Sequence, residues 1–305
     1  MMQSTGQSAM KTPGRALRNT PPDPHPRKPA FALPAGSWDC HIHLFGPAEH
    51  FAFASESPYV SDDALPADYL AVQEVLGLER AVVVSAGGYG ADYRHVQWVL
   101  ESHGERLRGI ILAPGELDAV EAERLRAIGV RGVRMFGAPP GNEWDHLPRI
   151  DPRLAGMAAE LGWHVQYHSI TRDDIEHAAE RLAALPCPVV LDHFGMFDPR
   201  LGLDQPAFIA ILRLLDSGRA WVKLSGPMRA AREEDMPYPS MTRFAHALVA
   251  HAPERLLWGS DWPHVQMNGR VMPNDGDLLG LLAEWVPDEA VRNRILAENP
   301  LALYR

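Results

Sequence analysis

Cysteine is scarce: the 305-residue chain has two, Cys40 and Cys187. That count excludes a disulfide framework and a cysteine-rich zinc cluster, and it points to a reducing, cytoplasmic setting. No apolar run is long enough to cross a bilayer, which excludes a helical membrane span. Positive charge is also in short supply. A formal net charge of -10 excludes nucleic acid as a general partner, although a local group of arginines can still hold a small anion. The Gly-x-Gly-x-x-Gly signature of a dinucleotide fold does not follow the first strand, and Gly87-Gly88-Tyr89-Gly90 reads as a loop rather than a phosphate cradle. The first 35 residues, rich in Pro, Arg and Ser, lack the apolar centre of a secretory leader.

What is present is ordinary for a soluble globular chain, with 46% hydrophobic and 22% charged residues. Short β-branched or apolar runs recur: Trp38 to His43, Ala81 to Ser85, Gly109 to Leu112, Arg131 to Phe136, Trp163 to His168, Pro188 to His193, Ala220 to Ser225 and Arg255 to Asp261. Segments of helical spacing separate them, including Leu117 to Ile128, Asp173 to Leu185, Pro206 to Asp216 and Met241 to His251, with Asp92, Asp151 and Asp173 as expected caps. Eight strands alternating with helices predict an α/β fold of the (β/α)₈ TIM-barrel type. Residues 33–305 form the expected barrel domain, and residues 1–32 an expected flexible arm.

Active sites of such barrels are built at the C-terminal ends of the strands. Those ends carry His41 and His43, Ser85, Pro114, Arg134, His168, His193, Ser225 and Asp261. His41 and His43, at i and i+2 of one strand, share a face. Packing alone does not explain three further ionisable groups, His168, His193 and Asp261, on the same rim. The connections that leave this rim are long, and the one from Leu44 to Leu65 is aromatic. Those at the opposite end are short, as expected for binding loops on one face.

With this set assembled, the chain resembles the amidohydrolase superfamily, in the branch of barrel hydrolases that includes the pyrone-dicarboxylate lactonases. The resemblance rests on Asp39-Cys40-His41-Ile42-His43-Leu44-Phe45-Gly46-Pro47, Gly132-Val133-Arg134, Leu191-Asp192-His193-Phe194-Gly195, Trp258-Gly259-Ser260-Asp261-Trp262-Pro263-His264 and Asn299-Pro300. It implies a hydrolase that opens a small anionic lactone by water attack. Asp261 would be the general base, His41, His43 and His193 would act around the carbonyl, and Tyr59, Arg134 and Arg229 would hold carboxylates. The chain departs from that pattern in three places. Gly87 stands for a serine, Pro139-Pro140 for a second arginine, and His168 for a substrate-binding tyrosine.

Imidazoles with one carboxylate suit zinc, so His41, His43, His168 and Asp261 are an expected ligand set for one divalent ion, Zn²⁺. No Lys or Glu at the end of the fourth strand would bridge a second ion. A lactone isomerase or a decarboxylase on the same barrel, and a non-catalytic ligand-binding barrel, are the rival readings. Partners beyond a small anionic substrate are none, apart from a possible second copy of the chain.

Overall fold

The computed structural model describes residues 16–137, 144 and 146–305. Its strands are β1 (Leu17–Arg18), β2 (Trp38–Ile42), β3 (Tyr59–Val60), β4 (Arg80–Val84), β5 (Leu107–Ile111), β6 (Val130–Gly137), β7 (His164–Ser169), β8 (Val189–Leu191), β9 (Ala220–Ser225) and β10 (Leu256–Gly259). β2 and β4 to β10 form one eight-stranded parallel sheet in chain order, while β1 and β3 pair with each other outside it. Two backbone bonds close the sheet on itself: Asp261 N donates to His41 O at 2.8 Å, and His43 N to Trp262 O at 2.7 Å. The fold is the expected (β/α)₈ barrel. Its strands are apolar on both faces, as in Ala81-Val82-Val83-Val84, because helices cover the outside and side chains fill the inside.

Two strands end earlier than expected, β8 at Leu191 and β10 at Gly259. The residues that follow turn sharply out of the ladder: His193, Phe194 and Met196 have φ of 48°, 60° and 59°, and Asp261 has 69°. Left-handed backbone at non-glycine residues is uncommon and is strained unless its surroundings impose it. Here it lifts His193 and Asp261 onto the rim. β2 carries an extra residue, since Asp39 pairs with Ala81 but Ile42 with Val83, and such a bulge re-aims side chains. Asp39 supports the closure from below. Its buried carboxylate accepts hydrogen bonds from the backbone N–H groups of His41 and Ser260 and from the Tyr69 hydroxyl.

Helix Pro206–Asp216 has the expected bounds, and helix Ala119–Ile128 begins two residues late because Asp118 caps it. Asp151 caps by accepting from Arg153 N, and Asp92 accepts from Arg94 N. Asp173, expected as a cap, makes no cap bond. Its backbone is helical (φ -108°, ψ -6°), so the carboxylate is not presented to the first-turn N–H groups as an extended cap residue would present it.

The long loop after β2 starts on a fixed point. Gly46 N donates to Tyr89 Oη at 2.9 Å, and the His95 ring Nε2 donates to Gly46 O at 3.1 Å. Phe51 and Tyr89 flank that imidazole at 5.0 and 5.1 Å between ring centres. Burial lowers the His95 pKa from 6.5 to about 4. A group depressed in the fold contributes stability that is full above the unfolded pKa and is lost as pH falls through the folded one. At 1.36 kcal/mol per pH unit, the gap of about 2.5 units is worth about 3 kcal/mol. His95→Gln, which keeps an N–H for Gly46 O, should therefore lose about 3 kcal/mol less stability than wild type between pH 7 and pH 4. Urea unfolding at the two pH values measures this. Equal losses in both proteins would show that His95 does not titrate in this way.

Candidate active site

The closure of the barrel brings His41, His43 and Asp261 together, and the turn after β8 adds His193. Asp261 Oδ1 lies 3.7 Å from Nε2 of each of these three histidines, and the Nε2 atoms of His41 and His43 are 3.3 Å apart. All four side chains are buried. His43 Nδ1 faces the carbonyl of Val84 at 2.8 Å. A carbonyl only accepts, so Nδ1 carries the proton and Nε2 turns its lone pair to the site. His193 Nδ1 is 3.0 Å from Ser225 Oγ. Burial pushes His41 down to about 4 and holds His43 and His193 well below the usual imidazole range, so these rings are neutral at pH 7.

Asp261 Oδ2 is held by Arg229 Nε and Nη2, each at 2.6 Å, whereas Oδ1 has no hydrogen-bond partner among the described residues. An unpaired buried carboxylate oxygen is costly and calls for a water, a proton or a cation. The donor set suits a divalent ion. Ligands on a tetrahedral zinc with bonds of about 2.0–2.1 Å lie roughly 3.3–3.4 Å apart, close to the spacing seen between these atoms. His41, His193 and Asp261 offer ligand atoms within 4.8 Å of one another, and His43 stands beside them. His168 groups instead with Asp192 and His193. In this arrangement His193 therefore stands where His168 was expected among the ligands.

Beneath the quartet lies a buried polar network centred on Asp192. Its Oδ2 accepts from Arg134 Nη2 at 2.9 Å and Nε at 3.2 Å, and lies 3.6 Å from His168 Nδ1. Its Oδ1 is 3.2 Å from His41 Nδ1 and 3.5 Å from Lys223 Nζ. Lys223 also donates to Gln166 Oε1 at 2.7 Å. Burial works against charge on Asp192, but His41, Arg134 and Lys223 outweigh it and hold the carboxyl well below the usual range. Burial lowers Lys223 to about 8. Arg134, expected as a substrate clamp, is thus largely committed to the protein, because its Nη1 also donates to Ser85 O at 3.1 Å.

Above the quartet sits a small cavity of about 50 Å³. His43, His193, His168, Arg134, Arg229 and Tyr59 line its polar side. Phe136, Trp144, Ile170 and Val265 line the rest. Tyr59 is buried, its hydroxyl accepts from Gly88 N at 3.2 Å, and burial raises it to about 12, so it is a neutral donor at pH 7. Two glycines are required by this packing. A Cβ at Gly87, where a serine was the expected family residue, would meet Trp144 at 2.7 Å, and one at Gly226 (φ 51°) would meet His193 Nδ1 at 2.7 Å. Pro139-Pro140, the other departure, lies outside the described residues.

Of the expected site residues, His43, Tyr59, Arg134, His168, His193 and Arg229 line the cavity, and His41 and Asp261 lie against His43 and His193. Lys223, Gln166 and the central position of Asp192 are not among the expected site residues. A signal was available: Lys223 precedes Ser225 by two and Gln166 precedes His168 by two, so both face inward beneath strand-end residues.

Residues 38–305 match the amidohydrolase family model. A 4-sulfomuconolactone hydrolase of Rhizobium radiobacter is 38% identical, covering 90% of this chain and 92% of that protein. A 2-pyrone-4,6-dicarboxylate hydrolase of Comamonas testosteroni is 35% identical, covering 92% and 93%. A D-galactarolactone isomerase of Agrobacterium fabrum is 30% identical, covering 95% and 96%. With the family model spanning the whole barrel and relatives of this identity along nearly all of its length, the chain belongs to the amidohydrolase family.

Proposed function

We propose that the protein hydrolyses a small anionic lactone, with Asp261 as the general base. The observation that carries this reading is the free Oδ1 of Asp261, ringed by three neutral imidazoles at the floor of a cavity that contains two guanidinium groups. Ring opening needs a nucleophilic water, a group to stabilise charge on the carbonyl oxygen, and a proton for the departing ring oxygen. Asp261 Oδ1 takes the proton from water and then delivers it to the departing ring oxygen, and Arg229 fixes the carboxylate so that Oδ1, not Oδ2, faces the site. His41, His43 and His193 surround the carbonyl. His168 and Tyr59 offer hydrogen bonds to the rest of the substrate, and Arg229 and Arg134 supply a positive field for its anionic group.

The relatives named as lactone hydrolases support this reading. The isomerase among the relatives keeps one rival open, because rearranging a lactone needs the same base and the same electrophiles. Two buried, unpaired cysteines agree with a cytoplasmic enzyme.

A single divalent ion, zinc by ligand type, is part of this proposal. His41, His43, His193 and Asp261 would hold it, and it would supply positive charge at the lactone carbonyl and the attacking water. Opposing it are three cations, Arg134 and Lys223 buried and Arg229 partly buried, against two buried carboxylates, Asp192 and Asp261. Zinc retention is therefore expected to be weak. Purified protein should take up one zinc per chain and lose it to a chelator, with activity falling in parallel. Full activity at zinc contents far below one per chain would remove the ion and leave His193, whose Nδ1 can accept from Ser225 Oγ so that Nε2 carries the proton, as the electrophilic imidazole.

A further inference from the structure

Both arginines of the cavity bond a carboxylate of the protein, and only Arg229 keeps a nitrogen, Nη1, without a bond among the described residues. Arg229 is bonded to Asp261 through two nitrogens, and Arg134 uses all three of its nitrogens on Asp192 and Ser85 O. An incoming carboxylate or sulfonate, with two or three acceptor oxygens, takes more than one unengaged donor. Gln266 offers another. It lines the cavity beside His43, Tyr59 and Arg229, and its side-chain amide makes no hydrogen bond among the described residues.

The backbone that presents it is unusual. Gln266 has φ 55°, and Asp261, His264 and Asn268 in the same loop have 69°, 63° and 51°. Non-glycine residues hold such angles only when surrounding contacts impose them. One such contact comes from outside the barrel, where Gln266 N donates to Asn19 Oδ1 at 2.9 Å. Asn19 follows β1, and its own N–H donates to Val60 O at 2.9 Å, so it is tied to the strand that carries Tyr59. The Arg18–Asp62 ion pair fastens the same crossing. Further on, Asn274 Nδ2 donates to Asp23 Oδ2 at 2.8 Å and to His25 O at 2.9 Å, and Arg27 N donates to Asn274 Oδ1. The segment ahead of the barrel thus joins the two loops that bring Tyr59 and Gln266 to the cavity.

We propose that Gln266 donates to the substrate's anionic group and that Asn19 is its positioning residue, so that the N-terminal segment completes the substrate pocket. The proposal rests on the lactone reading above. A neutral amide suits the task, because it can bond an anion without drawing Arg229 away from Asp261.

The test uses the full chain with 2-pyrone-4,6-dicarboxylate as probe, measuring Kd by calorimetry together with KM and kcat. A hydrogen bond to a charged group is worth about 1.5–3 kcal/mol, so Gln266→Ala should weaken Kd and raise KM by about tenfold or more, with kcat within about twofold of wild type. Asn19→Ala should move Kd and KM in the same direction by a smaller factor. Asn19→Asp, which keeps the acceptor, should bind like wild type. A fall in kcat at unchanged Kd, an Asn19→Asp protein as weak as Asn19→Ala, or wild type that fails to bind the probe would overturn the proposal. Wild type that binds, responds to these substitutions and yet opens no ring would leave this assignment standing and contradict the lactone reading instead.

Discussion

Asp261→Asn is expected to lower kcat by about 10²- to 10⁴-fold, the span usual for loss of a general base, while leaving a folded barrel. The amide is nearly isosteric. Its oxygen can still accept from Arg229, and the closure bond from residue 261 N to His41 O belongs to the backbone. What disappears is the basic oxygen that now sits unpaired 3.7 Å from three imidazoles. At 1.36 kcal/mol per tenfold, the loss corresponds to about 3–5 kcal/mol of transition-state stabilisation. KM should change little, because the contacts expected to hold the substrate lie on other residues. Steady-state kinetics alongside a thermal melt separates the two effects. A variant with unchanged Tm and wild-type kcat would take Asp261 out of the mechanism.

Replacing Asp192 with Leu should destabilise the protein by about 3–5 kcal/mol, the cost of leaving buried charge without its partner. Asp192 is fully buried, and it is the carboxylate on which Arg134 and Lys223 both converge. Lys223 can shed its proton, since burial already brings it to about 8, but Arg134 cannot, so the larger part of the penalty remains. Urea denaturation at pH 7 reads this directly. Pairing the substitution with Lys223→Met should recover part of the loss, because one of the two stranded cations is then gone. A single variant as stable as wild type would mean that the network carries little of the fold's stability.

The barrel was legible because each strand is a short apolar run bounded by a helical period, and parallel strands covered on both faces must look like that. The site was legible for the same reason. Inward positions at strand ends are few, and His41, His43, His168, His193, Arg134 and Asp261 occupy them against an apolar background. What could not be read was pairing across the barrel. Nothing along the chain says that Arg134 spends its donors on Asp192, 58 positions away, or that Arg229 holds Asp261. The left-handed turns at His193 and Asp261 were also hidden, because neither residue is glycine and the strain is imposed by tertiary contacts. They bring His193 rather than His168 to the Asp261 carboxylate.

The measurement that tests the central claim most directly is the fate of an anionic lactone mixed with the purified enzyme. 2-Pyrone-4,6-dicarboxylate and a muconolactone are the first two substrates, followed by ultraviolet absorbance and by the mass of the product. Loss of the ring chromophore and a product heavier by one water are expected in the wild type and not in Asp261→Asn. A product of unchanged mass would establish isomerisation, and intact rings across the whole panel would contradict lactone chemistry at this site.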